Sequence, residues 1–235
     1  MTGEHSSKQY DQELEAIRSK VLLMGGMVET AFDEALECFR VGDSARSDRV
    51  IADDQAVNRL EVQLDDACSH LIVRRQPTAN DLRTVMATIK VITDLERIGD
   101  EASKIARTAK NLHERNGSPF AHYDMVRTIA KATCELLHNS LDAFARLDGR
   151  QALELIAADE VVDHEFRTIL RNLITFMMED PRTISSALDT LWVAKAIERI
   201  GDHAKNIAEY VIYIVKGRDV RHIPLAELER EALAR

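Results

Sequence analysis

Residues that interrupt regular structure are scarce in this chain, which contains only four prolines and nine glycines among 235 residues. Most of them separate long segments in which apolar residues recur with helical periodicity, and strand signals are absent. The breaks lie near Gly42-Asp43, Gln76-Pro77, Gly117-Pro119, Gly149, Asp180-Pro181 and Gly217. They predict six helices, each of roughly 30 residues or ~45 Å.

Cysteine is also rare, and its placement excludes two kinds of stabilising site. The three cysteines, Cys38, Cys68 and Cys134, lie far apart and outside any CxxC pattern. They therefore predict neither a disulfide framework nor a zinc site, and they fit a reducing compartment. The start of the chain lacks the apolar region of a signal peptide, and the longest apolar runs are too short to span a bilayer. We expect a cytoplasmic protein without membrane insertion.

Basic residues are fewer than acidic ones, so the net charge is −9 and the pI is near 5.4. No cluster of Lys and Arg forms a basic groove, so we expect no nucleic-acid binding. The chain also lacks GxxxxGK[ST], GxSxG, HExxH and GxGxxG motifs. No nucleophile with a positioned base is evident, and we expect that the protein is not an enzyme.

What the chain does contain is an internal repeat. The pentapeptide ERIGD occurs at residues 96–100 and again at 198–202, 102 positions later. Earlier positions match at an offset of 105: Leu36, Phe39, Asp43, Asp54, Val57 and Asn58 correspond to Leu141, Phe144, Asp148, Asp159, Val162 and Asp163. Because a lone hairpin cannot bury its apolar stripe, the repeat predicts an all-α fold of two tandem three-helix bundles. We predict the first bundle at residues 10–117, the second at 118–217 and a C-terminal tail at 218–235.

Each ERIGD copy places two carboxylates one helical turn apart. Both lie on the face of the helix that carries the apolar core residues in the preceding turns. Glu96 and Asp100 do so on the third helix, and Glu198 and Asp202 on the sixth. Like charges at this spacing repel each other, so a positive group should offset them. One candidate is local pairing, for example between Asp202 and Arg199. The other is a metal ion, because hard cations bind several carboxylate oxygens.

The second helix of each bundle supplies further oxygen ligands at the same spacing. These are Asp54 and Asn58 in the first bundle, and Asp159 and Asp163 in the second. If the pairs face each other, each bundle could hold one divalent or iron-type metal ion. Spacing alone favours an ion-paired surface, because structural networks give the same pattern. The glycines of the two ERIGD copies favour close helix packing over room for an ion cluster.

A wider set of segments carries a family resemblance. RQPTANDLR precedes the first ERIGD copy and YVIYIVKGRDVRH follows the second, with MGGMVE at 24–29, LDAFARLD at 141–148 and MMEDPRTI at 177–184. With these segments, which span nearly the whole length, the chain resembles the PhoU family.

The resemblance implies a bacterial regulator of phosphate uptake that represses the phosphate-starvation response by contact. In that family the protein connects the ATPase subunit of a phosphate ABC transporter with a sensor histidine kinase, and members are usually homodimers. Some members bind iron, zinc or other metals through E/DxxxD motifs, which map here onto Glu96 with Asp100 and Glu198 with Asp202. Asn58 departs from an all-carboxylate set, so the sequence favours a metal ion in the second bundle, which has Asp163 at that position, over one in the first. A carboxylate-bridged metalloenzyme and a purely structural helical protein remain alternatives.

Overall fold

The structure is a computed structural model that describes residues 3–116, 123–221, 223 and 227. The described residues form helices and their connections, without strands, which confirms the all-α prediction. Among the described residues the α-helices are α1 (Gly3–Val41), α2 (Ser44–Arg75), α3 (Ala79–Asn116), α4 (Tyr123–Arg146), α5 (Gly149–Glu179) and α6 (Ile184–Lys216), and a 3-10 turn spans Pro181–Thr183. Helix α1 begins before residue 10, and the predicted break at Gly117-Pro119 lies outside the described residues.

Two aspartates of the repeat begin the second helix of each bundle. Asp43 accepts a hydrogen bond from the backbone N–H of Arg46 (2.9 Å), and Asp148 accepts from the N–H groups of Arg150 and Gln151 (both 3.0 Å). Side-chain oxygens at this position satisfy N–H groups that have no partner inside the helix. The matched spacing of Asp43 and Asp148 therefore reflects equivalent starts of α2 and α5.

Helices α1 to α3 form one bundle and α4 to α6 the other, with α3 and α6 packed side by side between them. Two ion pairs show that α3 and α6 run antiparallel. Arg115 Nη2 lies 2.6 Å from Asp189 Oδ2, and Arg199 Nη1 lies 2.9 Å from Glu101 Oε1. Fully buried core side chains come from both bundles: Phe32, Phe39, Leu64 and Leu71 in the first, and Ile129 and Phe144 in the second.

Two adjacent glycines on α1 have different surroundings, which leads to a stability prediction. A Cβ atom at Gly25 would lie 2.7 Å from Leu141 Cδ2 on α4, whereas one at Gly26 would have no neighbour within 4 Å. Alanine at Gly26 should stabilise the protein by about 1 kcal/mol, because glycine is unfavourable inside a helix. Alanine at Gly25 gains the same helix propensity but displaces a core-facing side chain, at a cost of about 1–3 kcal/mol.

We therefore expect Gly26→Ala to be more stable than Gly25→Ala by about 1–3 kcal/mol. Urea unfolding of the two variants beside the wild type measures this difference directly. Equal stabilities for the two variants would contradict the close contact between α1 and α4.

Candidate functional site

The structure places the predicted acidic residues on two pairs of packed helices, α2 with α3 and α5 with α6. The ERIGD glycines make this close packing possible. A Cβ atom at Gly99 would lie 3.2 Å from Asp54 Oδ1, and one at Gly201 would lie 3.0 Å from Val162 Cγ1 and 3.7 Å from Asp159 Oδ1. The predicted packing role of both glycines is confirmed, because side chains of α2 and α5 occupy the space that a larger residue would need.

In the first bundle three buried side-chain oxygens of α2, on Asp54, Asn58 and Asp65, have no hydrogen-bond partner among the described residues. Asp54 Oδ1 and Asn58 Oδ1 are each shielded from solvent and accept no hydrogen bond from the described residues. Burial raises the pKa of Asp54, and the negative charge of Asp100 on α3 raises it further. The charges of Arg107 and Lys104 on α3 act in the opposite direction, but neither side chain donates to Asp54 Oδ1. Buried acceptors without donors are costly, so the oxygens of Asp54 and Asn58 would gain from a cation or a donor.

The facing carboxylate on α3 has a similar environment. Burial raises the pKa of Glu96, as does the charge of Asp100, while Arg97 acts in the opposite direction with Nε 3.6 Å from Glu96 Oε2. Two more α2 residues, Glu61 and Asp65, also have raised pKa values, mainly through burial. Our sequence analysis missed these two residues, although their spacing after Asn58 is helical and could have indicated them.

In the second bundle, by contrast, basic side chains neutralise three of the four predicted acids. Lys205 Nζ donates to buried Asp159 Oδ2 (2.8 Å) and Lys195 Nζ donates to both Glu198 oxygens (2.6 Å each). Arg167 Nη2 donates to Asp163 Oδ2 at 3.0 Å. These ion pairs supply the positive charge that the carboxylate spacing predicts.

The first bundle has no basic residue at the matching positions. The repeat aligns Lys195, Lys205 and Arg167 with Thr93, Ser103 and Val62. Ser103 is buried, and its hydroxyl also has no hydrogen-bond partner among the described residues. The two halves of the repeat thus share their acidic positions but differ in the cations that accompany them.

Asp202 is the acid of the second bundle with the most perturbed titration. Its pKa is raised to about 6, first by desolvation and then by the charges of Glu198, Asp159 and Asp163. The residue as a whole is solvent-exposed. The predicted partner Arg199 contacts Glu101 across the bundle interface instead, so the local pairing of Asp202 with Arg199 was wrong.

The residue that follows each ERIGD copy joins the two bundles. Buried Glu101 lies 2.9 Å from both Arg199 Nη1 and Lys104 Nζ. His203 Nδ1 lies 2.7 Å from Oδ1 of buried Asp94, which also accepts from Asn206 Nδ2 (3.1 Å). The His203 side chain is only 17% exposed, so it lies within the interface between the bundles.

Two further properties of the described residues bear on metal binding and on membranes. In residues 3–116 and 123–221, no group of three or more His, Cys, Asp or Glu side chains is arranged so that it could hold a metal ion. A metal ion would have to draw the acidic side chains together. None of the described helices has the length and apolar character needed to cross a bilayer.

Comparison with known proteins identifies relatives of this architecture. The sequence profile of the PhoU domain matches residues 21–109 and 126–211. Phosphate-specific transport system accessory proteins from Pseudomonas aeruginosa (named a PhoU homolog) and Escherichia coli K12 (named PhoU) are 46% and 45% identical to this chain. Each alignment covers 97% of this chain, with 93% and 94% of the relatives. The crystal structure of PhoU from P. aeruginosa is 45% identical, with a TM-score of 0.85 over 89% of this chain and all of that one.

The fold and the acidic helix pairs define a class of all-α proteins built from two repeated three-helix bundles. The two matches to the PhoU domain lie one in each bundle, and the full-length relatives share 45–46% of their residues with this chain. The chain belongs to the PhoU family.

Proposed function

We propose that this protein is an adaptor that represses the phosphate-starvation response and modulates phosphate uptake. The observation that carries the proposal is the full-length similarity to relatives that are named accessory proteins of phosphate-specific transport. In this role the chain acts in the cytoplasm as a homodimer. It contacts the ATPase subunit of a phosphate ABC transporter and a sensor histidine kinase, without catalysing a reaction.

A rigid, repeated scaffold supports an adaptor that acts through contact. Polar groups between the bundles are joined to one another, as with Asp94 and His203, and those contacts hold α3 against α6. Such a scaffold presents two similar but unequal faces, one from each bundle. Unequal faces suit a protein that contacts two different partners.

We further propose that a divalent or iron-type metal ion binds between α2 and α3 of the first bundle. Asp54, Asn58, Glu96 and Asp100 would hold it, because buried Asp54 Oδ1 and Asn58 Oδ1 have no partner and burial raises the pKa of Glu96. A bound cation would neutralise these acids and lower the cost of burying them.

The second bundle fits a metal ion less well. Asp159, Asp163 and Glu198 already contact Lys205, Arg167 and Lys195, so a cation would have to displace these basic groups. This support for the first bundle is the reverse of the ranking that Asn58 suggested from the sequence. Asp202, which keeps a raised pKa, is the remaining acid there.

Deletion of the gene tests the adaptor proposal. A phosphate-controlled reporter should switch on in phosphate-rich medium in the deletion strain, and a plasmid copy of the wild-type gene should restore repression. Immunoprecipitation from phosphate-rich cells should recover the kinase and the ATPase subunit. A reporter that stays off in the deletion strain would refute the repressor role.

A further inference from the structure

An open groove lies between α1 and α2 of the first bundle. It has a volume of 660 Å³ and runs from Leu22 to Glu34 on α1 and from Arg49 to Val57 on α2, with Gly99 of α3 at its floor. Most of its lining is apolar. The stretch of α1 corresponds to ~18 Å, or about three helical turns, at ~1.5 Å per residue.

Gly26, at the middle of this groove, has no evident packing role within the chain. It lies inside α1, where glycine costs about 1 kcal/mol relative to alanine, yet a Cβ atom there would meet nothing within 4 Å. One turn earlier, Leu23 is 61% exposed. Glycine without internal neighbours permits close approach by the backbone of another molecule.

The matching surface of the second bundle is built differently. The repeat aligns Gly26 with Lys131, which is exposed and places Nζ 3.8 Å from Glu135 Oε1. A long charged side chain therefore stands where the first bundle has open space beside an apolar groove. This contrast makes Lys131 a matched control position.

Charge indicates the kind of occupant. The groove is lined by the acidic residues Glu34, Asp53 and Asp54 and by the basic residue Arg49. Glu34 is already paired with Arg46, whose Nε lies 3.2 Å from Glu34 Oε2, so the negative charge open to an occupant comes from the two aspartates. Asp53 is exposed at the rim, and the chain as a whole carries a net charge of −9. A complementary occupant would present an apolar face to Leu23 and Met27 and a Lys or Arg to Asp53.

We propose that this groove receives an amphipathic helix with a basic flank, contributed by a partner protein of phosphate signalling. The groove is about three helical turns long and has a helix on each side. Both features match the way in which amphipathic helices bind hydrophobic grooves. Gly26 allows the backbone of the incoming helix to approach α1. The inference rests on the proposed adaptor function and adds the surface through which the contact is made.

The test fills the groove without disturbing the fold. The deletion strain with the phosphate-controlled reporter is complemented with wild type, Gly26→Leu or Lys131→Leu, each at equal protein level. We expect wild type and Lys131→Leu to repress, and Gly26→Leu to lose repression although its melting temperature is not lowered. Full repression by Gly26→Leu would overturn the proposal. A reporter that is off in the uncomplemented strain would instead refute the adaptor function itself.

A photo-reactive amino acid at Leu23 identifies the occupant, with the same probe at Lys131 as the control. In phosphate-rich cells we expect a crosslink to a second protein, mapped by mass spectrometry to a helix that carries Lys or Arg beside apolar residues. The crosslink should disappear when Gly26→Leu is added. A crosslink to another copy of this chain, to a non-helical segment or to no protein would overturn the proposal.

Discussion

Replacing Asp94 by alanine is expected to destabilise the protein by about 3 kcal/mol, because it removes the acceptor at the centre of the bundle interface. Asp94 is 7% exposed and accepts from Asn206, with His203 Nδ1 2.7 Å away. Tyr210 also hydrogen-bonds to Asp94; burial, followed by the charge of Asp94, raises the pKa of its hydroxyl to about 12. Truncation of Asp94 leaves His203, Asn206 and Tyr210 of α6 without the carboxylate that they share in the interior.

A second aspartate–histidine pair offers a control with the same chemistry but without burial. His70 Nδ1 lies 3.2 Å from Asp66 Oδ2, and both side chains are more than half exposed. Asp66→Ala should cost less than about 1 kcal/mol, since exposed ion pairs contribute little. Urea unfolding at neutral pH, followed by circular dichroism, compares the two variants. Similar losses for Asp94→Ala and Asp66→Ala would show that the buried network does not join the bundles.

The fold could be predicted because its determinants are local and occur twice. Asp43 and Asp148 begin equivalent helices, and Gly99 and Gly201 are needed at equivalent close contacts. Both requirements act within a few residues or between neighbouring helices of one bundle, so they keep a fixed spacing in the sequence. The repeat therefore predicted six helices and two bundles.

The partners of the charged residues could not be predicted in the same way. Arg97 and Arg199 occupy the same position of ERIGD, but Arg97 lies beside Glu96 of its own helix and Arg199 reaches Glu101 of the other bundle. That difference depends on how α3 docks against α6, which the spacing along either helix does not specify. Asp94 was overlooked for the same reason, because its counterpart at the offset of 102 is Ala196.

The difference in cations between the bundles was visible in the sequence, although its meaning was not. Lys205 aligns with Ser103, but only the structure shows that Lys205 contacts Asp159 while Asp54 Oδ1 has no partner. Similar spacing of acidic residues thus leads to ion-paired carboxylates in the second bundle, whereas in the first bundle burial raises the pKa values of Asp54 and Glu96. The ion-pair interpretation therefore applies to the second bundle, and the first bundle is where we propose a metal ion.

The largest effect that we expect on ligand binding follows from this asymmetry. If the first bundle holds the metal ion, Asp54→Asn should weaken Mn²⁺ or Fe²⁺ binding at least about tenfold, because an amide is a weaker ligand for hard cations. Asp159→Asn should leave that binding unchanged, since Asp159 already pairs with Lys205. Asn58→Asp, which restores the carboxylate present at Asp163, should strengthen it. Titrations of chelator-treated, untagged protein, with elemental analysis, measure all three.

The same variants should respond differently in the metal-free protein, which separates ligand loss from unfolding. Burial raises the pKa of Asp54 above its ordinary value, so its ionised form destabilises the fold. Asp54→Asn should therefore gain stability relative to wild type at pH 7, and the gain should disappear as the pH falls to about 3, below the ordinary aspartate pKa, where the carboxyl group is protonated in both states. Asp159→Asn should instead lose stability at pH 7, because Lys205 is left without its carboxylate. A wild-type protein that binds neither Mn²⁺ nor Fe²⁺ would exclude the metal site, and equal weakening by Asp54→Asn and Asp159→Asn would exclude its assignment to the first bundle.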